Sequence, residues 1–453
     1  MPSANARLHQ YELDTSDSLL EVGARCQNAT ARLPDDESAP AVRSPPLRPS
    51  FDRPMLSRTS SRCSARPAGT ITRGGRLVLS AMTAVAVLGS PTRAEAQAVA
   101  TTDSVPAILA PRNPIPPEAA TAGVKRFSFI AYGDTRGRHD GVELQAEHQL
   151  VIEAMLTTIR RATTSADSIR FVLQSGDAVV NGSFARQWSV SYVPLINRLT
   201  QEGGVPYFLS VGNHDVGNAT DLADARRVAG MRNYLAANAK LLPPVGARRL
   251  AGYPTFAFGY GNTFVIGVDS DIPDDAAQFA WLVRQLESLD RRRYENVVVF
   301  FHHPPYSSGP HGGGQTERQA ASIRARWMPL FRKHHVRLLL TGHEHLFEHW
   351  VERYVDASGP HRIDEIVSGG GGAPLYGYMG EPDVREYLAA GASDSVSLEH
   401  LVRPAVDPGA NPFHFVIVHV DGTRISVEVV AADWGRGFAP YHSRGATLAD
   451  PVR

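Results

Sequence analysis

Five stretches of the chain run almost wholly apolar and stop at a polar cluster that opens with a turn. Residues 127–132 stop at Gly133-Asp134-Thr135-Arg136, and residues 171–175 at Gly176-Asp177. Residues 207–211 stop at Gly212-Asn213-His214-Asp215, and residues 297–301 at His302-His303-Pro304-Pro305. Residues 336–341 stop at Gly342-His343-Glu344-His345. Short apolar runs rich in β-branched and aromatic residues predict strands buried on both faces, as in a sheet covered by helices. Helical spacing appears between them. Phe279, Leu282, Val283, Leu286 and Leu289 share one face of a predicted helix over 276–289, and Leu144, His148, Val151, Ile152 and Met155 share another. Two hairpins are predicted, one around Gly261-Asn262 within 255–268 and one around Asp421-Gly422 between 413–420 and 424–430.

The polar clusters have a common grammar: a β-rich run, usually a glycine, then Asp, Asn or His. Function in open α/β sheets collects outside the carboxyl ends of the strands. A glycine before the polar residue lets the backbone turn sharply and approach an ion closely. Carboxylate, amide oxygen and imidazole together suit hard and borderline divalent metals. A thiolate site is excluded, because the two cysteines, Cys26 and Cys63, lie far from every cluster. Taken singly, each cluster also has a plain reading: Gly-Asp as a turn, Asn-His-Asp as an Asx turn, a His pair as packing. All five in one chain, in this order, point to a metal centre.

Composition changes the picture mainly at the N-terminus. In the 453 residues Lys+Arg and Asp+Glu both number 46, which gives no basis for a nucleic-acid-binding surface. Residues 1–70 are rich in Ser, Pro, Ala and Arg without sustained periodicity, and read as disordered or as an extension that is not translated, with Met55 or a later codon as the start. Residues 71–96 combine a basic flank, an apolar run over 77–89 and Ala94-Glu95-Ala96, the pattern of a secretory signal peptide cut after Ala96. The run is too short to span a bilayer, so no transmembrane anchor is expected after cleavage. Residues 97–124 read as a linker or mature N-terminal arm, 125–435 as the catalytic domain and 436–453 as a C-terminal tail.

The blocks Gly133-Asp134, Gly176-Asp177, Gly212-Asn213-His214-Asp215, His302 and Gly342-His343-Glu344-His345 resemble the calcineurin-like metallophosphoesterase superfamily, over roughly residues 126–430. Val299-Phe300-Phe301-His302 followed by Pro-Pro-Tyr is similar to its purple-acid-phosphatase-like branch. The resemblance implies an α/β (α+β) four-layer sandwich of two mixed β-sheets flanked by helices. It implies two metal ions (Fe, Mn or Zn) bridged by Asp177, one taking Asp134 and His345, the other Asn213, His302 and His343. His303 stands beside the ligand as a supporting or packing residue.

Two departures concern the first ion. Family members commonly carry Asp-x-His in the first block, where this chain has Asp134-Thr135-Arg136; purple acid phosphatases supply a Tyr three residues after the second Asp, where this chain has Val180. Without that tyrosinate no purple charge-transfer colour is expected. Either His148 fills the gap from its helix, or water or substrate does so while Arg136 faces the phosphate; a helix-surface or core role for His148 and a loop ion pair for Arg136 are the plain alternatives.

The implied chemistry is phosphate-ester hydrolysis by a metal-activated water. A small phosphorylated substrate is the expected partner and a phosphomonoester the first choice. The alternatives are a phosphodiester at the same site or an idle metal- or phosphate-binding member of the fold. His214 is expected as general acid, oriented by Asp215. His311, in the glycine-rich stretch 307–315, is expected near the substrate in a mobile lid, or in a plain surface loop. The stretch 368–374 is expected to turn tightly near the metals, and 377–412 reads as an irregular insertion without chemistry.

Overall fold

The predicted runs form strands of two mixed sheets. In the computed structural model of the chain the described residues are 9–13, 104–163, 166–313, 316–391 and 395–432. One sheet has the order β1 (His9–Leu13), β13 (Arg424–Ala432), β12 (Phe413–Asp421), β2 (Arg126–Tyr132), β3 (Ile169–Gln174) and β4 (Tyr207–Leu209). Its last three strands are parallel and its other pairings antiparallel. The other sheet has the order β11 (Ser397–Val402), β9 (Phe347–Asp356), β10 (Gly359–Ser368), β8 (Leu338–Thr341), β7 (Asn296–Phe300), β6 (Thr263–Gly267) and β5 (Phe256–Tyr260), with β10, β8, β7 and β6 parallel.

Both faces of the central strands are buried, which is why their sequences show no alternation. Phe127 and Phe129 of β2, Phe171 and Leu173 of β3, Val298 and Phe300 of β7, and Leu338 and Leu340 of β8 meet between the sheets. From β2, Ile130 and Tyr132 face the opposite way, onto α1 (Ala146–Ala162), α2 (Val193–Arg198) and α3 (Ala225–Ala237). From β7 and β8, Val297, Val299 and Leu339 face α4 (Ala276–Glu287) and α5 (Arg318–Lys333). The result is a helix–sheet–sheet–helix sandwich, the expected fold, with a short α6 (Arg385–Ala390) resting Tyr387 on the second helical layer. Among the described residues no helix is long and apolar enough to cross a membrane.

Register brings the polar clusters to one edge. Tyr132 pairs with Gln174, and Gln174 with Leu209, so β2, β3 and β4 end level with one another. Phe300 pairs with Leu340, so β7 and β8 do likewise.

Packing bears on three further stretches. Within the stretch read as unfolded, His9–Leu13 pairs with β13; the rest of that stretch, the segment 71–96 read as a signal peptide and residues 436–453 lie outside the described residues. The stretch read as a linker or mature N-terminal arm is packed from residue 104 onward: Ile108 is fully buried and its N–H donates to the Ala237 carbonyl. Glu118 in the same stretch accepts from Arg248 and Tyr294, so burial of one apolar side chain and an ion pair fasten it. The region 377–412 contains β11, which pairs antiparallel with β9; its Ser-Leu-Glu-His-Leu-Val sequence half-buries an edge strand and carries too weak an apolar signal to be read locally.

Candidate metal centre

The turns after the strands hold their polar residues in uncommon conformations. Among the described residues six non-glycine residues have positive φ, and three of them are Asp134 (61°), Asp177 (55°) and His343 (69°). Such strain persists where the surroundings over-determine it, and clusters at functional sites. Cross-loop hydrogen bonds supply that determination. His343 N–H donates to Asp134 Oδ2 at 2.9 Å, and His214 N–H to Asp177 Oδ1 at 3.0 Å. Gly212 passes so near that a Cβ there would stand 2.4 Å from Asp177 Oδ1, so only glycine fits.

Each of three imidazoles has one nitrogen committed to an acceptor-only partner, which fixes its tautomer and bares the other. His302 Nδ1–H donates to the Ser175 carbonyl at 3.1 Å, His345 Nδ1–H to the Pro374 carbonyl at 2.6 Å, and His343 Nε2–H to Glu317 Oε2 at 3.0 Å. The bare atoms converge. His302 Nε2 lies 2.8 Å from Asn213 Oδ1, 3.1 Å from His343 Nδ1 and 3.4 Å from Asp177 Oδ1. Burial drives the pKa of His302 down to about 3, so no proton on Nε2 reconciles these acceptors. Donors about 2.0–2.1 Å from a shared cation stand about 3.0–3.4 Å from one another in octahedral or tetrahedral arrangement. The donor set Asp177, Asn213, His302 and His343 therefore fits a divalent metal in chemistry and in spacing.

A second corner offers Asp134, Asp177 and His345, each with a ligand atom within 4.8 Å of the others. Asp134 Oδ1 is buried, has no hydrogen-bond partner among the described residues, and lies 3.5 Å from His345 Nε2. Burial and the charge of Asp177 push the Asp134 carboxyl well above the usual range. Burial acts on Asp177 in the same direction, but His302, His214 and Arg136 outweigh it and hold that carboxyl low. Arg136 enters this corner: its Nε lies 3.3 Å from Asp177 Oδ2, and its Nη2 donates to His345 Nε2 at 3.1 Å. The second corner thus has three protein donors and a guanidinium, and fits a metal less completely than the first.

The remaining singled-out residues divide. His214 Nδ1–H donates to the Val180 carbonyl at 2.7 Å, and its Nε2 lies 4.0 Å from Asp177 Oδ2. Asp215 does not orient it, contrary to expectation. The buried Asp215 carboxylate instead accepts from the backbone N–H groups of Ala178, Val179 and Gly212, tying the two Asp- and Asn-bearing turns together. His148 is also corrected as a ligand: it is fully buried, with Nε2 on the Tyr132 hydroxyl at 3.1 Å and Nδ1 on Gln145 Oε1 at 2.8 Å. His303 packs its ring 4.4 Å from that of His343 and bonds Ser270 through Nδ1, a supporting place beside the donors. His311 also packs its ring 4.4 Å from that of His343, and its Nδ1 contacts Glu317 Oε1 at 2.8 Å. Its loop is pinned: Glu344 Oε1 accepts from His311 N–H, and a Cβ at Gly309 would collide with the Glu344 carboxylate. The glycine stretch after β10 does turn beside the donors, with Ala373 N–H on the Asp134 carbonyl.

Sequence reading missed Glu317 and Tyr376. Glu317 bridges His343 and His311 from the start of α5, where it reads as an ordinary helix-start acid. Tyr376 stacks on His345 at 4.1 Å, the ring that the Arg136 guanidinium also reaches. No local pattern marks either. Because carboxylates behind ligand imidazoles orient them, Glu317→Ala is expected to weaken metal affinity by ~10–100-fold. Titration with metal, followed by calorimetry, checks this; unchanged affinity would remove Glu317 from the centre.

A family model described as calcineurin-like phosphoesterase matches residues 144–347, a span that holds Asp177, Asn213, His302, His343 and His345. Purple acid phosphatase 22 of Arabidopsis thaliana is 28% identical over 120 residues, covering 26% of this chain and 27% of that protein. Probable purple acid phosphatase 20 of the same plant is 29% identical over 98 residues, covering 21% and 22%. The chain therefore spans about a quarter of the length of these curated relatives. The structure of purple acid phosphatase PPD1 from yellow lupin (Lupinus luteus) seeds shares the fold, with a TM-score of 0.50 and 16% identity over 74% of this chain and 56% of that one. Residues 144–347 thus match the calcineurin-like phosphoesterase family, on a fold of two helix-flanked mixed sheets, and the chain is similar to purple acid phosphatases.

Proposed function

We propose that the chain hydrolyses phosphate esters in a metal-dependent reaction, with small phosphomonoesters as its substrates. The observation that carries this is the convergence of four acceptors, on Asp177, Asn213, His302 and His343, with a guanidinium beside Asp177. A pair of ions is what the family match implies, and Asp177 would be shared between them. When bound, metal at these donors supplies a water of lowered pKa and positive charge for the phosphoryl oxygens.

The chain's own residues do the rest. Phosphoryl transfer spreads negative charge over the equatorial oxygens, and fixed cations aimed there do most of the catalytic work. Arg136 is suited to this, since a planar guanidinium can hold two oxygens at once. His214 is the proton carrier at the rim: the Val180 carbonyl holds Nδ1–H, which leaves Nε2 as the atom that meets the leaving oxygen. Asp177 and the Asp215-bound backbone keep His214 at that distance from the donors. We also propose export, on the strength of the basic flank, apolar run and Ala94-Glu95-Ala96; sequencing of the secreted protein should begin at Gln97, and an earlier start would remove that reading.

An assay of phosphomonoesters and diesters with Mn²⁺, Fe²⁺ or Zn²⁺ tests the activity. Metal-dependent turnover of monoesters is expected, and no turnover of any ester by the metal-replete protein would defeat the proposal. In the same assay His214→Ala should lose ~10²–10⁴-fold on poor leaving groups, the usual range for general acid catalysis, and much less on activated ones. Equal losses on both would deny His214 the acid role.

A further inference from the structure

Arg136 is buried in its corner rather than draped across it. Only 16% of its side chain is exposed. Its backbone N–H donates to the Asp177 carbonyl at 3.2 Å. Its guanidinium takes Asp177 Oδ2 and His345 Nε2, and the Tyr376 ring is stacked on His345. So two of the three donor atoms that a cation would use there already face N–H groups. Arginine stays protonated throughout the working range of proteins. A divalent ion seated among Asp134, Asp177 and His345 would stand against a like charge that cannot be shed, in a site with little water to screen it. The other corner offers four donors and has no cationic side chain among them.

Resting on the metal-dependent reading of the site, we infer that Arg136 is itself the cation of the three-donor corner, so that the chain retains a single divalent ion and holds a guanidinium where a second would sit. Asp134 Oδ1 is the acceptor the guanidinium leaves unmet. A count of retained ions therefore decides between the two occupants. In functional terms, one of the two positive charges facing the phosphoryl group is covalently part of the chain and does not exchange with solution.

Protein loaded with excess Mn²⁺ and desalted is expected to retain one equivalent by elemental analysis. Its EPR spectrum should show the hyperfine pattern of an isolated ion. Arg136→His, which replaces the guanidinium with a ligand, should retain two equivalents. Two equivalents in the unaltered chain, or an exchange-coupled EPR signal from it, would overturn the inference and leave the metal-dependent reading standing. One equivalent in both proteins would also overturn it, because something other than Arg136 would then limit the corner. Retention of no ion would sink the metal-dependent reading and this inference together. If Arg136→His does not fold, the EPR signal of the unaltered chain decides alone.

Discussion

Asp177→Asn is expected to reduce kcat/KM by at least ~10–100-fold, the loss already typical of changing a residue that only supports a metal ligand. Its carboxylate is the one group common to both corners. Oδ1 faces His302, and Oδ2 faces Arg136 and His214. Asparagine preserves the shape and still accepts the His214 N–H, so the loops should keep their paths. It removes the charge and turns an amide donor toward the Arg136 guanidinium, itself a donor. A second readout separates a lost centre from a lost fold. An ion that binds only the folded chain stabilises it by ~3–4 kcal/mol at 100–1,000 times its dissociation constant. The unaltered protein should show that gain in thermal unfolding with added Mn²⁺ or Zn²⁺, and Asp177→Asn should show almost none. An undiminished metal response in the variant would mean that Asp177 holds no ion.

Phe171→Ala should lower the unfolding free energy by ~3–5 kcal/mol, the usual range for an aromatic truncated in a packed core. Phe171 lies between the sheets at full burial. Its ring stacks on Phe129 at 4.8 Å and meets Phe258 edge-on at 5.3 Å, with Phe127, Phe208 and Tyr260 around it. The neighbours belong to both sheets, so the cavity would open at the seam that holds one set of metal-donor loops against the other. Denaturant unfolding measures the loss. Below the transition the variant should still retain metal, because Asp177 is positioned by its turn and not by the Phe171 ring. A loss under ~1 kcal/mol would mean that the seam repacks freely.

Both expectations join a feature legible in the chain to one that was not. Asp177 was readable as a donor because a strand-end Gly-Asp in a series of five such ends is chemically specific. Phe171 was readable as core because the run around it does not alternate. Neither local pattern says that Phe171 touches Phe258, or that Asp177 Oδ2 faces Arg136. The same limit explains the error over Asp215. Adjacency to His214 suggested that the carboxylate orients the ring, yet it turns inward to three backbone N–H groups, since a buried carboxylate needs several donors and the facing turn offers them. His148 shares a helical face with core residues and is satisfied by Tyr132 and Gln145, a pairing no periodicity reveals. Glu317 and Tyr376 went unseen because an acid opening a helix and a tyrosine after a glycine run are common everywhere.

What the sequence alone determined is the strands that end in polar clusters, the edge at which those ends gather, and the kinds of donor atom found there. Those follow from local rules: apolar runs bury, glycine turns, and carboxylate, amide and imidazole seek cations. The tertiary structure alone decided which nitrogen of each imidazole is bare and that Arg136 occupies the second corner. It also decided which carboxylates support the centre and which hold the backbone. These depend on partners as distant in the chain as Asp134 and His343, which meet only when two sheets stack, and stacking is set by the whole core and not by any one segment.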